Sequence, residues 1–113
     1  MGALTGFRVL DLSRILAGPW CSQILADLGA EVIKVEKPFQ GDDTRIWGPP
    51  FLKNDAGDDT GESAYYLSTN RGKYSVAIDM ATEEGQRLIK KMVLDSDVLI
   101  ENYKAGSLKK YGL

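Results

Sequence analysis

The chain has 113 residues, 43% of them hydrophobic and 27% charged, with a formal net charge of −2. That suits one small soluble domain: the charge gives no electrostatic footprint for nucleic acid, and the apolar runs fall far short of the roughly 20 residues a membrane-spanning helix needs. One cysteine and no histidine exclude a disulfide framework, a zinc site and any Ser-His or Cys-His catalytic pair, and with no basic, apolar leader the expected location is the cytoplasm.

Phe7 to Leu12 carries Val9, Leu10 and Leu12 and reads as a mostly buried strand. Ser13 to Gly18 is the turn after it. Pro19 suits a first helical position, and Cys21, Ile24, Leu25 and Leu28 follow at i, i+3, i+4 and i+7, which predicts a helix with one apolar stripe. On that stripe Cys21 is expected as a small buried hydrophobe rather than a nucleophile. Gly29 is a natural stop, and Glu31 to Glu36, "EVIKVE", is a second strand. The three elements make a β-α-β unit with a right-handed crossover.

Regularity is lost from Lys37 to Asn70, where Pro38, Pro49 and Pro50 fall together with the acidic stretch "NDAGDDTGES". This reads as an irregular loop of about residues 37–70, with a solvated, mobile tip. Asp42, Asp43 and Arg45 within it are expected to form a local salt-bridged turn, the alternative being that they orient the loop around a ligand. Arg71 and Lys73, on the turn entering the next strand, either face an anionic substrate or are ordinary exposed basic residues, the commoner case. "YSVAIDM" from Tyr74 is that strand, Thr82 can cap a helix with Glu83 and Glu84 in its first turn, and Leu88, Ile89, Met92 and Val93 form its buried side. Ser96 to Asn102 is a fourth strand, and "GSLKKYGL" resembles the start of another helix. Four strands and two crossover helices predict an α/β fold, a parallel sheet covered on both faces.

Such sheets bind ligands at the carboxyl ends of their strands without naming the ligand. A dinucleotide needs a G-x-G-x-x-G turn, whereas "SRILAGP" has one glycine and a proline near the helix start, so nicotinamide and flavin cofactors are disfavoured. Glu36 stands where such folds place a ribose-binding carboxylate, and equally where a solvated strand end would put one.

"GFRVLDLSRILAGPWCSQILADLGAEVIKVEKP", then "GDDTRIWGPP", "NRGKYSVAIDM" and "DVLIENYKAG", closely resemble the N-terminal region of the class III CoA-transferases, the family of formyl-CoA transferase and carnitine CoA-transferase. The resemblance runs from about Leu4 to Leu113. It implies a Rossmann-like parallel sheet of which residues 1–113 are the incomplete N-terminal part, an interlocked homodimer at full length, and transfer of CoA between an acyl-CoA and a carboxylic acid, with coenzyme A as substrate and no prosthetic group. It implies that Ile15, Leu16 and Ala17 lie against CoA, that Lys37 and Lys110 meet its phosphates, and that Ile78 and Ala81 sit beside its adenine or ribose. Lysines suit these multiple negative charges; ordinary solvated lysines are the alternative.

Formyl-CoA transferases carry glutamine where this chain has Leu16, so oxalate is not expected as acceptor, and a longer dicarboxylate or its ester, such as a succinyl or glutaryl compound, fits better. Trp47 matches an aromatic residue near the active-site entrance, or else anchors the loop by packing; Asn102 ends a strand where ligands bind. The family's nucleophilic aspartate lies downstream of the region aligned, so no residue of this chain takes the catalytic role and the isolated chain is expected to be inactive. The competing readings are a fragment of an α-methylacyl-CoA racemase-like enzyme and a stand-alone nucleotide- or CoA-binding module.

Overall fold

The computed structural model describes residues 1–113. Strands β1 (Arg8–Asp11), β2 (Glu31–Glu36), β5 (Lys73–Ala77) and β6 (Val98–Ile100) form a wholly parallel sheet in the order β5-β2-β1-β6. Helix α1 (Ala17–Asp27) joins β1 to β2, and α3 (Glu83–Leu94) joins β5 to β6. The first connection moves one strand in one direction and the second crosses back over the sheet. Right-handed crossovers therefore put the helices on opposite faces.

Side-chain alternation sends Leu10, Leu12 and Val35 to the α3 face, where they pack with Ile78 and Ile89 and with the partly buried Met92 and Val93. On the α1 face Val9, Ala30 and Val32 pack against Leu25 and Ala26. Helix α3 follows its sequence except at Leu88, expected on the buried side and 37% exposed. The Thr82 hydroxyl accepts from the Gly85 amide at 3.0 Å, Glu83 and Glu84 occupy the first turn, and Ile89 is the buried centre. Thr82→Ala is expected to cost about 1 kcal/mol, read as a lower urea midpoint at unchanged slope.

Helix α1 departs from expectation. Its buried residues are Gly18, Pro19, Ser22 and Gln23, whereas Cys21 is exposed and Ile24 and Leu28 are 48% and 45% exposed; of the expected stripe only Leu25 is partly covered. The cause is the sheet beneath. Asp11, Lys34 and Lys73 point up at the helix, so its inner face must be small or polar. The helix also begins at Ala17, which puts Pro19 inside its first turn.

The 37–70 stretch holds more regular structure than its composition announces. It contains a 3-10 turn at Asp43–Ile46, an antiparallel hairpin of β3 (Phe51–Lys53) and β4 (Asp59–Ser63), and helix α2 (Ala64–Thr69), capped by the Ser63 hydroxyl. The acidic run supplies the exposed hairpin turn at residues 54–58 and then strand β4 itself. "GSLKKYGL" forms a 3-10 turn at Ser107–Tyr111. No helix is long and apolar enough to cross a membrane.

Candidate functional site

Strand order reverses between β1 and β6, and that switch point is where an open parallel sheet receives ligands. The turn after β1 and the chain after β6 meet there: the Asn102 side-chain oxygen accepts from the Arg14 amide at 3.0 Å and its amide donates to the Arg14 carbonyl at 2.8 Å. Beside them, along the carboxyl ends of the strands, lies a cleft of about 350 Å³. Its walls include Arg14, Lys37, Ile78, Ala81, Tyr103 and Tyr111. The Arg14 guanidinium lies 4.0 Å from the centre of the Tyr103 ring, which fixes a cation and an aromatic face side by side.

The turn itself is built without a glycine cradle. The amides of Ser13, Arg14 and Ile15 all point inward, to Asp11 (2.8 Å), Asn102 (3.0 Å) and Asp42 (3.1 Å) respectively. These three consecutive donors are thereby spent on the protein and do not hold a phosphate. Ile15 adopts φ +73°, a left-handed conformation that is a true outlier for a β-branched residue. Gly18 is needed for a different reason: a Cβ there would stand 2.2 Å from that of Ser13, so glycine lets α1 press onto the turn.

Beneath the turn runs a buried charged network on the α1 face of the sheet. Lys34 and Asp42 pair at 2.8 Å with side chains 1% and 0% exposed, and Lys73 and Asp11 pair at 3.2 Å, equally buried. The Asn70 side-chain oxygen accepts from both lysines at 2.9 Å, and Lys73 also donates to the Pro19 carbonyl at 2.9 Å. Asp11 accepts further from the Ser13 and Ser22 hydroxyls, Asp42 from the Thr44 amide and hydroxyl. No buried side-chain polar atom lacks a partner, which is the condition under which charge can be buried at all. Burial pulls the Lys73 ammonium down to about 8 against the opposing pull of Asp11. Asp42 is held low: burial would raise it, but the Lys34 ammonium and the Thr44 donors outweigh that.

Glu36 anchors the second half of the network. Its oxygens accept from Arg45 (2.7 and 2.8 Å), the Tyr66 hydroxyl (2.5 Å), the Ser75 hydroxyl (3.0 Å) and the Asp42 amide (2.8 Å). Burial opposes its charge, yet these donors lower the carboxyl to about 2. Burial and the Glu36 carboxylate together raise the Tyr66 phenol. Glu36 is thus neither a ribose ligand nor a solvated strand end. It clamps the 37–70 excursion to the sheet.

Of the residues expected at the site, Lys37, Ile78 and Ala81 line the cleft. Ile15, Leu16 and Ala17 form the turn next to it, with Leu16 and Ala17 exposed. Asn102 holds that turn. Lys110 lies outside the cleft, its ammonium 4.9 Å from the ring of the cleft residue Tyr111. Trp47 is 41% exposed, packs edge-on against Tyr65 at 5.3 Å and does not line the cleft. The expected turn salt bridge divides, with Asp42 paired to Lys34, Arg45 to Glu36, and Asp43 exposed. Lys73 is buried rather than exposed, while Arg71 pairs with Asp27. Arg14, Tyr103 and Tyr111 were not singled out beforehand, and only their position just after a strand or in the last turn could have signalled them.

Comparison with known proteins gives a consistent result. Residues 4–113 match the family model of CoA-transferase family III. The chain is 54% identical over 110 residues to the succinate–glutarate CoA-transferase of Agrobacterium fabrum, covering 97% of this chain and 27% of that protein. It is 50% identical over 110 residues to the human succinyl-CoA:glutarate CoA-transferase, covering 97% of this chain and 24% of that one. Among solved structures, a CAIB/BAIF family protein from Brucella suis superposes with a TM-score of 0.89 at 54% identity, over 99% of this chain and 29% of its own. A hypothetical protein from Mycobacterium tuberculosis superposes at 0.85 and 40% identity, over 100% and 29%. The chain thus spans about a quarter of the length of the curated relatives it matches. With a match that covers nearly every residue and a fold shared with solved relatives, the chain belongs to CoA-transferase family III.

Proposed function

We propose that this chain is the acyl-CoA-binding N-terminal segment of a CoA-transferase that exchanges CoA between succinyl-CoA and a five-carbon dicarboxylate such as glutarate. The observation that carries the reading is the cleft at the carboxyl ends of the sheet, with Arg14 and Lys37 on its walls and two tyrosines beside them, in a chain about half identical to enzymes named for that exchange. The cleft falls within the size range of ligand sites. Lys37 and, at the rim, Lys110 meet CoA phosphates; Ile78, Ala81 and the tyrosine faces take the adenine and ribose. Ile15, Leu16 and Ala17 pass the pantetheine arm toward the reacting end, and Trp47 stands by the acyl group. Leu16 offers no side-chain donor to a small diacid, which favours the longer acceptor.

The chemistry we propose for the whole enzyme uses an aspartate outside these residues. It attacks the donor thioester, giving a mixed anhydride and CoA thiolate; the thiolate then attacks the aspartyl carbonyl, giving an aspartyl-CoA thioester and free succinate. The acceptor carboxylate reverses both steps. Asp11 and Asp42 do not serve, because each is buried and fully bonded. With the attacking aspartate outside them, the 113 residues alone are inactive on this reading. Two copies interlock at full length, a reading supported by the bare apolar side of α1, where Trp20, Ile24 and Leu28 follow at i, i+4 and i+8 and each is roughly half exposed. The lone exposed Cys21 suits a reducing, cytoplasmic setting.

The test is a succinyl-CoA plus glutarate assay of the full-length protein, with CoA esters separated by chromatography. Glutaryl-CoA is expected, and Lys37→Ala is expected to raise KM for succinyl-CoA about fivefold with kcat unchanged, the effect shrinking at high salt. Epimerisation of a chiral 2-methylacyl-CoA without CoA exchange would overturn the transferase reading in favour of a racemase.

A further inference from the structure

The turn Ser13–Ile15 is held at both ends by one continuous buried chain of charge. From Ser13 it runs through Asp11, Lys73, Asn70, Lys34 and Asp42 and returns to the Ile15 amide. Its links come from β1, β5, the end of α2, β2 and the loop after β2, so it ties five parts of the fold to one strained residue. A network of this kind is costly to bury and is not needed for the sheet, whose other face has an apolar centre of Leu10, Leu12 and Val35 and leaves its Arg8–Glu31 pair exposed. What it does locally is specific. With φ at +73°, Ile15 sits where a side chain with a Cβ is disfavoured about tenfold, and the Asp42 carboxylate, fixed by Lys34 and Thr44, is the acceptor that compensates.

We propose that Asp42, backed by Lys34, is a positioning residue that holds Ile15 left-handed and so presents the Ile15–Ala17 segment to acyl-CoA. The inference rests on the CoA-transferase reading above. Asp42 borders the cleft but is 3% exposed and its oxygens are already bonded to the Ile15 amide, Thr44 and Lys34, so it acts through Ile15 and is assigned no contact with substrate. Releasing Ile15 would turn its peptide over, withdraw the segment from its present path and weaken acyl-CoA binding, while the dicarboxylate acceptor and the chemical step stay as they are.

The experiment uses the full-length enzyme and four forms of it: wild type, Asp42→Asn, Ile15→Gly and the double variant. Asp42→Asn is expected to raise KM for succinyl-CoA about tenfold, with kcat and the KM of glutarate within about twofold. In the Ile15→Gly background the same change is expected to cost under about twofold, because glycine enters the left-handed region without Asp42. Hydrogen exchange of the peptide spanning Leu12 to Trp20 should quicken in Asp42→Asn while the α3 peptide keeps its protection.

Equal losses in both backgrounds, or a glutarate KM that rises alongside, would make Asp42 a general structural residue and overturn the inference while the wild type still turned over. A wild type inactive toward succinyl-CoA would overturn the functional reading, and this inference with it. If Asp42→Asn does not fold, exchange in the wild type decides: amides of Ser13 to Ile15 as protected as those of β1 support the inference, and amides that exchange like an open loop overturn it.

Discussion

Lys34→Met is expected to destabilise the protein by about 3–5 kcal/mol, among the largest effects of any single substitution here. The methylene stem is conserved by the exchange, so little packing is lost. What is lost is the partner of a carboxylate that is itself fully buried at 2.8 Å, and desolvation without compensation sets the cost. Asp42 retains only its bonds to Thr44 and the Ile15 amide, and Asn70 loses one of its two ammonium donors. Adding Asp42→Asn removes the stranded charge and should recover part of the loss, so the double variant is expected to be more stable than Lys34→Met alone. Urea unfolding of the four forms gives the cycle directly. Additive losses would mean that the two groups do not depend on each other, contrary to their geometry.

The sheet and α3 were legible because local signals there agree with the tertiary demand. Thr82, Glu83, Glu84 and Ile89 act as a cap, a dipole partner and a core residue just as their spacing implies. The α1 stripe misled because periodicity reports which residues share a face and not what that face meets. Cys21, Ile24 and Leu28 do share one, but the sheet surface under α1 turns from Val9 and Val32 to Asp11, Lys34 and Lys73 along its length, and Ser22 and Gln23 had to face it. A sign of this stood in "EVIKVE". Alternation puts Val32, Lys34 and Glu36 on one face of a strand that is buried on both, so two charges there required buried partners.

Those partners lie outside the strand: Asp42 and Arg45 follow 8 and 9 residues after Lys34 and Glu36, while Asn70, Tyr66 and Ser75 lie 36, 30 and 39 residues from theirs. For the same reason the order within 37–70 was hidden. Its 3-10 turn is tied to the sheet by the Lys34–Asp42 and Glu36–Arg45 pairs, and α2 by the Tyr66 hydroxyl and Asn70, rather than by an apolar pattern of their own. At the site, Lys37, Ile78 and Ala81 were legible from the family resemblance. Arg14, Tyr103 and Tyr111 were not, since no periodicity marks residues that converge only through the strand order.

Glu36→Gln is expected to cost about 3 kcal/mol at neutral pH and progressively less in acid. The carboxylate receives five hydrogen bonds, two of them from Arg45, whose guanidinium also lies 3.8 Å from the Tyr66 ring. Glutamine offers one oxygen for these donors and turns an NH₂ toward Arg45 or Tyr66, leaving a donor against a donor. The pH dependence follows from the carboxyl's fall from its usual 4.5 to about 2 in the folded protein. Between those values the unfolded chain binds the proton and the folded one does not. The stabilisation is therefore fully present above about pH 4.5 and is lost as pH falls toward about 2.

The penalty of Glu36→Gln should accordingly shrink to about 1 kcal/mol near pH 3. Because Glu36 clamps the excursion through Arg45 and Tyr66, the loss should appear first there, as faster hydrogen exchange in α2 than in β1 or α3. Chemical unfolding of both proteins at pH 7, 5 and 3 measures the penalty. A penalty that stayed constant from pH 5 to 3 would show that Glu36 is not held ionised by these donors, and the clamp would then have to be credited to the packing of Tyr66 alone.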